Sequence, residues 1–172
     1  MCDSKFMTKI TRVERKILAN QYTVLEKLDP DRAEEYAELR EVLENGFVGE
    51  YEGVLQGVYD ESDTMSAEEC RYVGDVLQMY DMMQTAFRNG QTGGVDPRRL
   101  KFPGFDGNNE TKFMAYARHM RKHGRWAFLD LVSEDFNSHS PTEGRYQKML
   151  AAWNASGDKH QLTADDIVRI LG

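Results

Sequence analysis

No stretch of this sequence alternates apolar and polar residues over the length of a strand, which argues against a sheet-based fold. Cysteine is scarce. Cys2 and Cys70 form neither a close pair nor a framework, so a disulfide scaffold is excluded and a reducing cytosol fits. No apolar run approaches the ~20 residues of a membrane span, and MCDSKFMTKITRVERK at the start lacks the apolar centre of an export signal. A cytoplasmic protein with no membrane partner is expected. Catalytic signatures are missing too: the glycines of Gly90–Gly94 are not followed by Gly-Lys-Ser/Thr, so they read as a flexible loop and not a phosphate loop. Neither acidic stretch makes a calcium loop. In the one from Asp60, Met65 stands where glycine is needed and Arg71 where the bidentate glutamate belongs; in the one from Asp106 the same places hold Thr111 and Ala117. No local Ser-His-Asp or Cys-His arrangement is present.

What the chain does have is helical punctuation. Leu18, Tyr22, Leu25 and Leu28 recur at three- and four-residue steps, widened by Ile17 and Val24. Asp29-Pro30 then ends one helix and opens another, with Asp29 as the expected N-cap and Pro30 at a position where a missing N–H costs nothing. Tyr36, Leu39, Leu43 and Phe47 line the second helix, and Asn45-Gly46 gives a left-handed stop. This is an N-terminal helical hairpin. Asn20 and Gln21 fall inside its first helix, where buried amides need partners; their expected use is structural, fixing register or lining a small polar pocket.

Further helices follow. Tyr51–Tyr59 reads as a short one. Ser66 and Glu69 form a capping box for a long helix with Cys70, Val73, Leu77, Tyr80, Met83 or Gln84, and Phe87 on its apolar side. Phe113, Ala117 and Met120 mark another, stopped by Gly124; residues 125–139 are an irregular connection. Ser140-Pro141 is the expected start of a helix carrying Tyr146, Met149, Leu150 and Trp153, and Thr163 caps a last one with Ile167, Ile170 and Leu171. The expectation is an all-α, single-domain multi-helix bundle of about six to eight helices.

Charge is segregated along the chain. Between Glu26 and Glu52 ten acids face three bases, a net of −7; between Arg98 and Arg125 eight bases face two acids, a net of +6. Two solvated faces account for this simply, and complementary patches across a subunit interface are the sharper reading. An RNA or DNA face competes poorly with an acidic whole.

Two histidine arrangements carry the remaining chemistry. His119 and His123, four apart, share a helix face and could offer two imidazoles to a metal; Met120 stands where a zinc protease has its glutamate, and the neighbours Arg118, Arg121, Lys122 and Arg125 disfavour a cation. Arg118 and His123 also match the Arg-x4-His spacing of HEPN-type ribonucleases, in which a guanidinium stabilises phosphorane charge and an imidazole moves a proton. About one such match is expected by chance in a chain with these arginines and histidines.

The chain also resembles the YfbU family, bacterial proteins without an assigned activity. The resemblance rests on ILANQY (Ile17–Tyr22), LDP (Leu28–Pro30), EEYAEL (Glu34–Leu39), EECR (Glu68–Arg71), MY (Met79–Tyr80), FPGFDGNNE (Phe102–Glu110), GRW (Gly124–Trp126), FN (Phe136–Asn137), RYQKMLAAW (Arg145–Trp153) and LTADDI (Leu162–Ile167). It implies an all-helical, self-associating cytosolic protein and supplies no catalytic residues and no cofactor. Residues 1–12 read as a variable extension and 13–172 as the family's helical domain. The segment before Gly124 runs a residue shorter than the family pattern, and His119 and His123 fall outside it. The combined expectation is a non-enzymatic homo-oligomer acting through protein–protein contacts, regulatory contacts among them, with an unidentified protein partner besides itself. The alternative is a metal-independent ribonuclease or RNA-binding protein using Arg118 and His123.

Overall fold

The computed structural model describes residues 8–59 and 63–172. Among them are seven α-helices and no strand: α1 Arg12–Leu28, α2 Ala33–Asn45, α3 Tyr51–Val54, α4 Ala67–Arg88, α5 Thr111–Lys122, α6 Glu143–Asn154 and α7 Ala164–Leu171. The all-α reading and the N-terminal hairpin are both observed. The helices divide into two compact units, the first ending at Thr64 and the second running Met65–Gly172. Each has its own apolar core.

In the first unit α1 and α2 pack as the hairpin, and α3 closes one end. The core is small: Ala19, Val42, Leu43, Tyr51 and Val54, with Leu18, Tyr22 and Leu39 against it. Arg15 donates to Leu43 O at 3.0 Å, and Tyr22 Oη–H donates to Val54 O at 3.2 Å, so both polar tips are satisfied at the rim. Arg40 holds Glu26 at 2.6 Å and Glu44 at 3.1 Å, which neutralises part of the acidic excess. Thr11 and Glu14 cap α1 reciprocally, and Gly46 ends α2 in the left-handed region at φ +72°.

Three expectations for the hairpin are corrected. Asp29 makes no side-chain capping bond; Pro30–Arg32 is a 3-10 turn leading into α2, and the Asp29 carboxylate instead accepts from Tyr36 Oη–H at 3.2 Å. Nor does the apolar stripe of α1 form one buried face. Leu18, Ala19 and Tyr22 turn inward, whereas Ile17, Val24, Leu25 and Leu28 are exposed, and so are Asn20 and Gln21. Phe47, expected on the buried side of α2, is half exposed.

In the second unit α4 is the axis. Val73, Val76, Leu77, Met79, Tyr80 and Met83 are all buried on it, and α5, α6 and α7 pack around them. Cys70, expected in the core, is half-buried at the start of that helix. Phe102 sits among aromatics, with ring centres 5.2 Å from Tyr80, 5.6 Å from Phe105, 6.0 Å from Phe136 and 6.1 Å from Tyr146. Ser66–Glu69 and Thr163–Asp166 form both bonds of their capping boxes.

Candidate functional site

The irregular chain between α5 and α6 is held by polar clasps. Phe102 N–H donates to Asp130 O and Phe105 N–H to Phe136 O, both at 2.9 Å, laying residues 102–105 parallel to 131–137 as two isolated bridges. Gln84, 3% exposed, satisfies this junction from α4: its Nε2 donates to Leu100 O at 2.8 Å and Asp130 O at 3.0 Å, and its Oε1 accepts from Asp130 N–H at 2.8 Å. Leucine at position 84 would keep the volume but leave Leu100 O and Asp130 N–H without a partner, while Asp130 O would keep only Phe102 N–H. Gln84→Leu is therefore expected to lose about 2–3 kcal/mol in urea unfolding.

Glu110 is the second clasp. It is 5% exposed and accepts four hydrogen bonds: Oε2 from Asp106 N–H at 2.8 Å and Thr142 Oγ1–H at 2.6 Å, Oε1 from Thr142 N–H at 2.7 Å and Glu143 N–H at 2.8 Å. A carboxylate 32 residues away thereby caps α6. This corrects the expected Ser140-Pro141 start: α6 begins at Glu143, and Thr142 makes no capping bond of its own. Asp106, 2% exposed, accepts from Asn108 N–H at 3.1 Å and from the Asn109 amide at 2.5 Å. The acids of this stretch serve the loop itself.

The basic segment is largely spent in the same way. Arg99 donates to Leu171 O and Gly172 O at the end of α7, both at 3.0 Å. Arg121 donates to Trp126 O. Lys112 pairs with Glu69 at 2.7 Å and Arg98 with Asp96 at 2.7 Å. Guanidinium groups suit this task because one planar fork satisfies several loop carbonyls and cannot lose its charge.

Arg118 is used likewise. Its Nε and Nη2 both donate to Asp135 O, the former at 2.6 Å. His123 turns to His119 instead, with ring centres 4.5 Å apart, and His119 stacks over Tyr116. Five helical residues amount to about 500° of rotation, so Arg118 and His123 leave the helix some 140° apart. The structure thus brings together the two histidines and directs Arg118 elsewhere. Both histidines are exposed, and no group of three His, Cys, Asp or Glu among the described residues is disposed to share a metal. Neither histidine lines the groove of about 300 Å3 formed by Gln84, Phe87, Arg88, Leu100 and Lys101. That groove holds no histidine, cysteine or hydroxyl nucleophile, and its Arg88 reaches Asp130 at 3.5 Å.

Within the first unit, the outer face of α1 carries a row of exposed apolar side chains among the described residues. Val13 is 68% exposed, Ile17 52%, Val24 54% and Leu28 75%, aligned on one side of a two-sided helix. No helix among the described residues is long and apolar enough to cross a membrane. Sequence periodicity merged the outer face with the inner one because Leu25 lies between the two stripes on the helical wheel and joins them into one run.

The molecule is thus an all-helical protein whose buried polar groups tie loops and helix ends and which carries a row of exposed aliphatic side chains along one face of α1. The family model of the YfbU domain matches residues 8–172, and the chain belongs to that family. The match takes in residues 8–12, which the sequence alone assigns to the extension.

Proposed function

We propose that this chain is a non-enzymatic, homo-oligomeric protein of the cytosol that acts through protein–protein contacts. The exposed apolar face of α1 carries the reading. A row of branched aliphatic side chains, each more than half in water, is what an interaction surface offers and a free-standing monomer rarely keeps. The commitments of the charged residues support it: Arg118, Arg121 and Arg99 are held on carbonyls and Glu110 on backbone N–H groups, which leaves these groups to scaffolding.

Light scattering across protein concentration, at low and high salt, tests the proposal. The expected result is a mass above the 19.8 kDa of one chain that rises with concentration and persists in high salt, because apolar burial is not screened. Dissociation by salt would point to the charged segments instead. A monomer under all conditions would overturn the reading.

A further inference from the structure

The outer face of α1 has an internal symmetry. Val13 and Leu28, Ile17 and Val24, and Asn20 and Gln21 are three pairs, each centred on the midpoint between residues 20 and 21. All six side chains belong to exposed residues. At 100° per residue they fall within a sector of roughly 100°, opposite Ala19 and Tyr22 on the packed side. The stripe therefore reads the same in both directions: an aliphatic end, an aliphatic residue, two amides, an aliphatic residue, an aliphatic end.

A two-fold interface requires this kind of pattern. In an isologous contact, residue i of one copy meets residue j of the other, and j meets i in return. We infer that α1 pairs with α1 of a second copy of this chain, antiparallel, on a two-fold axis crossing between Asn20 and Gln21. This rests on the homo-oligomeric reading above and gives it a surface and a register. Val13 then lies level with Leu28 of the partner subunit, and Ile17 level with the partner's Val24. Each level holds one aliphatic side chain from each copy, and the four levels are even in volume. Asn20 meets the partner's Asn20 and Gln21 meets the partner's Gln21 beside the axis. A carboxamide carries both a donor and an acceptor, so it can pair with its own copy. Polar residues at the centre of an apolar helix seam fix register at some loss of affinity. The structural role expected of these two amides is thus placed between chains. Antiparallel packing also sets the helix dipoles head to tail, which parallel packing would oppose.

Size matters as well. One helix of 17 residues offers a face of only a few hundred Å2, at the low end for a specific interface. A dimer that dissociates on dilution is the consequence, and the concentration series above reads it directly.

Two variants decide the surface. Ile17→Glu with Val24→Glu changes only exposed residues, so helicity and melting are expected to stay near wild type while the dimer dissociation constant rises about 100-fold or more. Cysteine pairing reads the register without adding charge. In a Cys2→Ser, Cys70→Ser background, a mixture of Ile17→Cys and Val24→Cys is expected to cross-link under mild oxidation. Ile17→Cys alone is not, because its two copies lie seven residues apart along the axis, about 10 Å. Cross-linking of Ile17→Cys with itself would overturn the antiparallel register. A dimer unaffected by the two glutamates, with no cross-link between positions 17 and 24, would overturn this surface and leave the homo-oligomer standing. A monomeric wild type would overturn both and assign the face to a different protein.

Discussion

Gly104→Ala is expected to abolish folding or to cost more than about 4 kcal/mol, the largest single effect in the chain. Two separate demands meet at this residue. Its φ is +98°, a backbone region an alanine enters only with strain. A Cβ there would also lie 2.2 Å from Phe136 O and 2.3 Å from Phe136 C, both backbone atoms with no rotamer to escape into. Phe136 cannot yield easily. It is 4% exposed, is itself left-handed at φ +57°, and its carbonyl accepts from Phe105 N–H at 2.9 Å. The Gly104 carbonyl meanwhile takes the Tyr146 hydroxyl at 2.6 Å, so a shift at residue 104 would strip a buried hydroxyl from α6. Gly90→Ala separates the two demands. Its φ is +93°, nearly the same, yet nothing stands within 4 Å of the added methyl. It is expected to lose only about 1–2 kcal/mol. Urea unfolding followed by circular dichroism compares the pair. Equal losses would mean that strain alone, and not close approach, requires the glycine.

Which parts of this structure are legible in the sequence depends on how far apart the cooperating residues stand. Ser66 and Glu69 are three apart and their capping box forms as read; Thr163 caps α7 as read, and Asp166, three residues on, completes a box there too. Gly46 ends α2 for a reason carried by one residue. The α4 stripe is sound because that helix is packed around most of its circumference, with Met83 and Gln84 both buried. Where partners lie tens of residues apart, periodicity has no information. Gln84 looks like one more stripe position, yet its role is set by Leu100 and Asp130. Glu110 looks like the end of an acidic loop, yet its role is set by Thr142 and Glu143. The net charge of residues 98–125 suggests an electrostatic surface, whereas several of those arginines are directed at carbonyls. On α1 the failure is one of degree. Leu25 and Leu28 continue the inward rhythm of Leu18 and Tyr22, but α2 covers only a narrow face and both are left exposed. That residual face could be found beforehand only by noticing that Val13, Ile17, Val24 and Leu28 exceed what a two-helix core can bury.

Glu110→Gln is the second large effect, and its signature is in the pH dependence. Burial alone would raise this carboxyl's pKa. The bonds from Thr142, Asp106 and Glu143 together outweigh it and hold the pKa below the usual glutamate value. A group whose pKa is depressed on folding stabilises the native state above its unfolded pKa, about 4.3 for glutamate, and loses that contribution as pH falls through the folded value. At pH 7 the amide can still accept from Thr142 and Glu143 N–H through its oxygen. Its NH2 end, however, would face Asp106 N–H, a donor opposite a donor. A loss of about 2–3 kcal/mol at pH 7 is expected, most of it the cost of that unpaired buried N–H and the weaker bonds of a neutral acceptor. The gap between wild type and variant should stay constant down to about pH 5 and narrow below about pH 4, where the wild-type carboxyl also gains a proton. Glu14, Glu69, Asp135 and Asp166 have lowered pKa values as well, so both proteins will weaken in acid, and only the difference between them reports on Glu110. Denaturant melts at pH 7, 5, 4 and 3 supply that difference. A gap that does not change with pH would show that Glu110 acts by shape and not as a charged cap on α6.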